Sequence, residues 1–291
     1  MKKAIVVITG AKFAEAKRTF TAGQYTKYFE FDGKTYKMNA GAGSAYQLHE
    51  DYELIVHGYN QTDGDRLAKL GLVAPERYHA FSLLDKSQVK EFVGRIAELK
   101  QESGLPVHVV HYGAASETNV VMPHGNSLRH TFWEAPGNAI RDLVANNCET
   151  LMNLMQEMKR QQIFEDQAMT KVVVVTAAAA VRAKAMLGLD SAQKGAGHNL
   201  LRSMALELAH EQIYITEVMP GSTDGGYYDN DHTLELSLRV SKSYGFDYDA
   251  RTIPVFSALQ IGESVKYVMD TNCNVREVVL LPYGQHPHVG A

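Results

Sequence analysis

Cysteine is nearly absent from this chain: of 291 residues only Cys148 and Cys273 carry a thiol, one in a predicted helix and one just before a predicted strand. A disulfide-stapled fold is excluded, and the pair reads as reduced thiols of a cytosolic protein. No apolar run approaches the roughly 20 residues that span a bilayer, and Met1, Lys2 and Lys3 lead straight into strand-like sequence instead of a signal-peptide core. Cytoplasm is the expected compartment, with no membrane partner. A formal net charge of −4 and the lack of any basic cluster exclude nucleic acid as an expected partner. Repeats, low-complexity tracts and proline-rich linkers are missing as well, so nothing modular is implied. No Gly-x-Ser-x-Gly elbow is present, which argues against a hydrolase. No metal site is expected. His108 and His111 fall on opposite faces of a predicted strand, Asp229 to His232 lack the glycine and distal glutamate of a calcium loop, and His286 and His288 sit in a predicted frayed tail.

What the chain does contain is alternation. Strand-like stretches at 4–9, 53–57, 78–82, 107–112, 172–176, 213–218 and 277–281 are separated by segments with apolar residues at helical spacing, among them 87–102, 139–160 and 191–209. Right-handed crossovers turn such a series into a doubly wound parallel sheet, so the expectation is a Rossmann-like α/β single domain over residues 1–291. The length suits one large core.

The run KVVVVT at 171–176 is β-branched, as a strand covered on both faces requires. A helix follows, and IYITEVMPG at 213–221 supplies another strand with a Pro-Gly stop. This unit resembles the second half of the short-chain dehydrogenase/reductase family, where strand five carries a serine, the next helix carries Tyr-x-x-x-Lys, and strand six ends in Pro-Gly. The resemblance implies that Lys194 is the family's lysine, that Asn147 within ANNCETLMNLM is its asparagine, and that Pro220 and Gly221 border the cofactor. It also places Asp190 where the family has its tyrosine and Ala177 where it has its serine. AIVVITGA at 4–11 is similar to strand one running into the Thr9-Gly10 opening of the cofactor loop, and ESVKYVMD with NVREVVLLP is similar to the last helix and strand. The family's Asn-Asn-Ala-Gly turn reads His111, Tyr112, Gly113, Ala114 here.

The cofactor loop is split. After Thr9 and Gly10, an insertion at about 12–40 intervenes before Asn39, Ala40, Gly41, Ala42 and Gly43 restore a Gly-x-Gly opening a helix. Its core reads as a β-hairpin turning at Asp32-Gly33. Three readings of it stay open: a surface decoration or oligomer contact that leaves Gly41 and Gly43 to cradle phosphate, a flap that closes on a nucleotide with Lys12, Lys17 or Arg18 near phosphate, or a plug. HGYNQ at 57–61 offers neither an acid nor an arginine, which favours NADP by absence of repulsion, with NAD the alternative.

A carbonyl reductase must deliver a proton to oxygen as hydride reaches carbon. A phenol beside an ammonium does this; Asp190, one turn before Lys194, is expected to ionise and to hold the lysine in an ion pair. Three escapes are open: desolvation keeps Asp190 protonated, another group donates (His111 or Tyr112, Tyr227 or Tyr228), or the carboxylate acts as a base. The competing structural role for Asp190 is the N-cap of the Lys194 helix. The connection at 116–136, with Asn119, His124, Asn126, Arg129, His130 and Trp133, and the segment at about 222–254, in the place of the family's substrate-covering loop, are candidates to shape a pocket. The resemblance further implies a homodimer or homotetramer through the Asn147 and Lys194 helices. The leading expectation is an oxidoreductase that binds NADP(H) or NAD(H) and acts on a small carbonyl or alcohol with a non-standard proton donor. The alternatives are a degenerate nucleotide-sensing or partner-binding pseudoenzyme, and a non-redox lyase or isomerase with Asp190 as base.

Overall fold

Five buried residues with no charge, Ile5–Thr9, make β1, and the computed structural model builds outward from it, describing residues 2–21, 25–113, 122, 124 and 128–285. The insertion supplies β2 (Phe13–Glu15), β3 (Tyr28–Phe31) and β4 (Lys34–Met38). Next come α1 (Ala40–Leu48), β5 (Glu53–Gly58), α2 (Gln61–Lys69), β6 (Tyr78–Ala80), α3 (Lys86–Ser103) and β7 (Val107–Tyr112). A continuous helical stretch contains α4 (Ile140–Val144), a π-helical turn at Ala145–Glu149, and α5 (Thr150–Arg160). The second half holds β8 (Thr170–Val175), α6 (Gly188–Glu207), β9 (Ile213–Pro220), β10 (Thr223–Asp224), α7 (Asp231–Ser243), β11 (Phe256–Ser257), α8 (Ala258–Asp270) and β12 (Glu277–Leu280).

Every sequence-predicted strand is present, and together they form one parallel sheet in the order β12-β9-β8-β7-β1-β5-β6. The order reverses between β1 and β7, which puts a crevice at the carboxyl ends of those strands. Alternate side chains feed two cores. Val6, Ile8, Val110 and Val173 pack under α1 and α8, while Val7, Val109, Val172 and Val174 pack under α3, α5 and α6. Burial of such side chains contributes roughly 1.5–3 kcal/mol each. Helices α1 and α8 touch through backbone: a Cβ on Gly43 would lie 2.5 Å from the Ala258 carbonyl oxygen, and one on Gly262 would lie 2.4 Å from that of Gly43. In β8 the one charged side chain, Lys171, is buried, and its ammonium donates to the carbonyls of Val268 (3.0 Å) and Met269 (2.8 Å) at the end of α8. That cap satisfies carbonyls a helix terminus leaves orphaned.

The hairpin turns where the sequence indicates. Asp32 and Gly33 adopt φ of 51° and 75°, the left-handed pair of a two-residue turn joining β3 to β4. The sequence did not reveal that β2 returns to pair with the other edge of β4, giving a three-stranded sheet ordered β2-β4-β3. Nor did it reveal what this sheet docks on. Lys37 of β4 is completely buried, and its ammonium pairs with Asp224 and, at 2.9 Å, with Asp229, both in the segment after β9. Phe20 stacks edge-on against Tyr228 in a small separate core with Leu234, Ile253 and Val255. Arg18 binds Asp231 and the Tyr228 carbonyl (3.1 Å), which directs it away from the phosphate role offered for it. The insertion and the segment at 222–254 are therefore fastened together. Ala114, Asn119, Asn126, His286 and His288 lie outside the described residues.

Candidate active site

Asn147 sits in the π-helical turn, a distortion that redirects side chains. Its Oδ1 accepts a 2.7 Å hydrogen bond from the Lys194 ammonium, and its Nδ2 donates to the Leu143 carbonyl at 3.0 Å and to Gln193 Oε1. Gly113 at the end of β7 makes room, since a Cβ there would lie 3.0 Å from Asn147 Oδ1. Burial is the main influence on Lys194 and lowers its pKa, with the Asp190 carboxylate opposing that shift.

Asp190 departs from both sequence expectations. Helix α6 begins at Gly188 with Leu187 in the capping position, so Asp190 is a first-turn residue and not the N-cap. Among the described residues it makes no direct ion pair with Lys194; its Oδ1 accepts from Gln193 Nε2 at 3.1 Å instead. The reason is that Asn147 reaches the ammonium first, from the neighbouring helix.

Asp190 and Lys194, but not Asn147, open on a cleft of about 170 Å³ at the carboxyl edge of β8 and β9, lined also by Ala177, Lys184, Pro220 and Gly221 among others. Gly221 admits Gln285 to its rim, because a Cβ would lie 2.3 Å from Gln285 Oε1. A second cleft of about 310 Å³ runs along Gly10, Lys12, Asn39, His57, Asn60 and Asp63. Tyr112 and Tyr227 line both. Of the residues expected to hold a cofactor, Gly10, Lys194, Pro220 and Gly221 thus reach the clefts. Thr9, Gly41 and Gly43 do not: Thr9 Oγ1 bonds His111 Nδ1 in the core at 2.9 Å, a Cβ on Gly41 would lie 2.7 Å from the Gly10 carbonyl oxygen, and Gly43 serves the contact with α8.

Of the replacement proton donors, His111 is fully buried, with its pKa lowered by desolvation to about 3, so it stays neutral. Tyr228 donates to Ser222 Oγ at 2.8 Å and packs on Phe20. Tyr112 is pushed up to about 12, by burial first and then by the Asp190 carboxylate. Tyr227 is raised mainly by burial, with the Asp190 carboxylate adding to the shift, while the Arg129 guanidinium beside its hydroxyl pulls the other way. Lys184 falls to about 7 through burial, helped by Arg129. Sequence reasoning named Arg129 only as part of a polar connection and passed over Lys184, because loop residues carry no periodicity to place them.

The clefts have the elements of a dinucleotide groove: a glycine turn with φ of 75° at Gly10, the N-terminus of α1 beside it, and Lys12 in the lining. Asn39 already takes up part of that N-terminus, its Oδ1 accepting from the amides of Lys12 and Ala42, both at 3.0 Å. The groove fits a dinucleotide with this local difference.

A parallel doubly wound sheet with a buried lysine–asparagine pair at its carboxyl edge defines a Rossmann-like oxidoreductase fold. The short chain dehydrogenase family model matches residues 41–233, more than half of the sequence, and the chain belongs to that family. Solved structures agree in fold over nearly the full length. An alcohol dehydrogenase from Thermococcus sibiricus complexed with 5-hydroxy-NADP has a TM-score of 0.63 at 15% identity, covering 98% of each chain. An NADPH-bound short chain oxidoreductase from Pseudomonas aeruginosa PAO1, described as containing an atypical catalytic center, has a TM-score of 0.66 at 14% identity, again over 98% of each chain. A short-chain type dehydrogenase/reductase from Mycobacterium ulcerans has a TM-score of 0.66 at 14% identity, covering 96% of this chain and 88% of its own. No curated protein sequence matches.

Proposed function

We propose that the protein is an oxidoreductase that binds NADP(H), with NAD(H) the alternative, and acts on a small carbonyl or alcohol using Tyr227 in place of the family's tyrosine. The observation that carries this is the 2.7 Å bond from Lys194 to Asn147, which leaves the ammonium facing the cleft free of a direct Asp190 ion pair. The NADP-bound state of two structural relatives supports the choice of nucleotide. When bound, the dinucleotide supplies or accepts the hydride. Gly10, Lys12, Lys194, Pro220 and Gly221 would hold it. A donor phenol must tolerate becoming a phenolate; burial and the Asp190 carboxylate disfavour this for both tyrosines, and what distinguishes Tyr227 is the Arg129 guanidinium beside its hydroxyl, which acts in the opposite direction. Lys184, titrating near neutrality, would return the proton from solvent. Exposed apolar residues on the two helices bordering the site, Met152 of α5 and Leu206 of α6, support a homodimer or homotetramer built through them.

Calorimetric titration with NADPH tests the first half: absence of binding sinks the redox reading. Single-turnover oxidation of bound NADPH with a panel of ketones tests the second, and Tyr227→Phe should lower that rate by roughly 10²–10⁴-fold with nucleotide affinity unchanged. Equal loss in Tyr112→Phe and none in Tyr227→Phe would reassign the donor.

A second reading has its own support. Asn39 caps the helix that would meet the pyrophosphate, and Lys37 fastens the insertion to the segment after β9, which supports reading the protein as a nucleotide-sensing or partner-binding pseudoenzyme. Tight NADPH binding with no turnover on any ketone or alcohol would favour it.

A further inference from the structure

Three histidines that lie far apart in the sequence meet at one point beside the clefts. His124 and His130 come from the long connection before α4, and His232 comes from the first turn of α7. One ring nitrogen from each lies within 4.8 Å of the other two. His130 is buried, and the Nε2 of His232 is shielded from solvent with no hydrogen-bond partner among the described residues. Glu134 stands close enough for its carboxyl to be influenced by the His124 and His232 rings, while Thr131 fixes it through its amide (3.2 Å) and hydroxyl (2.7 Å).

We propose that His124, His130 and His232 form a binding site for a divalent transition metal of the zinc class, with Glu134 or water completing the coordination. Imidazole nitrogens bind zinc at 2.0–2.1 Å, so a tetrahedral site needs nitrogens separated by roughly 3.4 Å. The three nitrogens already lie within 4.8 Å of one another. The rings of His124 and His232 stack 24° apart with centroids at 3.6 Å, so metal binding requires them to turn about χ2, a broad torsion in histidine. Three imidazole nitrogens select zinc over calcium or magnesium, which take oxygen ligands.

The position gives the metal a task. Leu128 and Arg129, between two of the ligands in sequence, line the 170 Å³ cleft. Asn230, the N-cap of α7, lines the larger cleft and donates to the His124 carbonyl at 3.1 Å. A bound ion therefore clips the connection carrying Arg129 to the helix that follows Tyr227, fixing two sides of the site. It does not line either cleft, so its role is to position, not to react.

The test uses the full untagged chain, stripped with EDTA and returned to chelator-free buffer. Isothermal titration with Zn²⁺ should show one equivalent bound and a rise in Tm, and Co²⁺ should give the visible bands of a tetrahedral nitrogen site. His232→Ala and His124→Gln, each checked for folding by circular dichroism, should weaken Zn²⁺ binding by at least about tenfold, and Glu134→Gln by roughly 10–100-fold if it is a ligand or an outer-shell partner. Absence of binding, or binding unchanged in both histidine variants, overturns the site. If both variants fail to fold, the Co²⁺ spectrum of the native chain decides, and an octahedral spectrum overturns it.

Discussion

Lys194→Met removes the ammonium that donates to the buried Asn147 Oδ1. The expected cost is about 1–3 kcal/mol in stability, read from urea unfolding, together with at least a tenfold loss of NADPH affinity if the ammonium meets the ribose. Unchanged affinity would place the nucleotide elsewhere. Lys194 and Asn147 were named from the sequence through the family resemblance, and the structure brings their side chains together although Asn147 lies in a π-helical turn that breaks the helical spacing. Asp190 was harder: only coordinates show that α6 starts before it and that Asn147 takes the lysine first. Tyr227, Arg129 and Lys184 belong to loops, where position follows from contacts made by distant parts of the chain. The same holds for the histidine cluster, whose outermost members, His124 and His232, are 108 residues apart in sequence.

The parallel strands announced themselves through β-branched runs, and the hairpin through its Asp-Gly turn, because both signals are local. The docking of the insertion was not legible, since it depends on Lys37 meeting Asp224 and Asp229 from the opposite end of the chain. Lys37→Met leaves two buried carboxylates without their cation and should destabilise the protein by about 3–5 kcal/mol at neutral pH. Denaturant midpoints measure it, and adding Asp224→Asn and Asp229→Asn to the same chain should recover most of the loss. A Lys37→Met protein as stable as the parent would show that the three groups do not form a coupled unit.

Three buried histidines make the fold acid-sensitive. Desolvation lowers His57 and His108 to about 4 and His111 to about 3. Their folded values lie below the unfolded value near 6.5, so their neutral forms cost nothing above that pH, while below it the unfolded chain takes up protons that the folded chain refuses. Each should remove about 2 kcal/mol of stability by pH 5, and thermal melts between pH 7.5 and 5 should show Tm falling steeply below 6.5. A flat profile would mean that these rings are solvated. Association is readable in the same preparations. Leu206 of α6 is 76% exposed, and Leu206→Glu should reduce the mass seen by light scattering if this helix forms a subunit contact. Among the described residues no helix is long and apolar enough to cross a membrane. The buried Lys37 knot has one more consequence. The sheet of the insertion and the segment after β9, which lend Ala14 and Tyr227 to the wall of the larger cleft, are knotted at one dry node, so neither wall can shift without carrying the other.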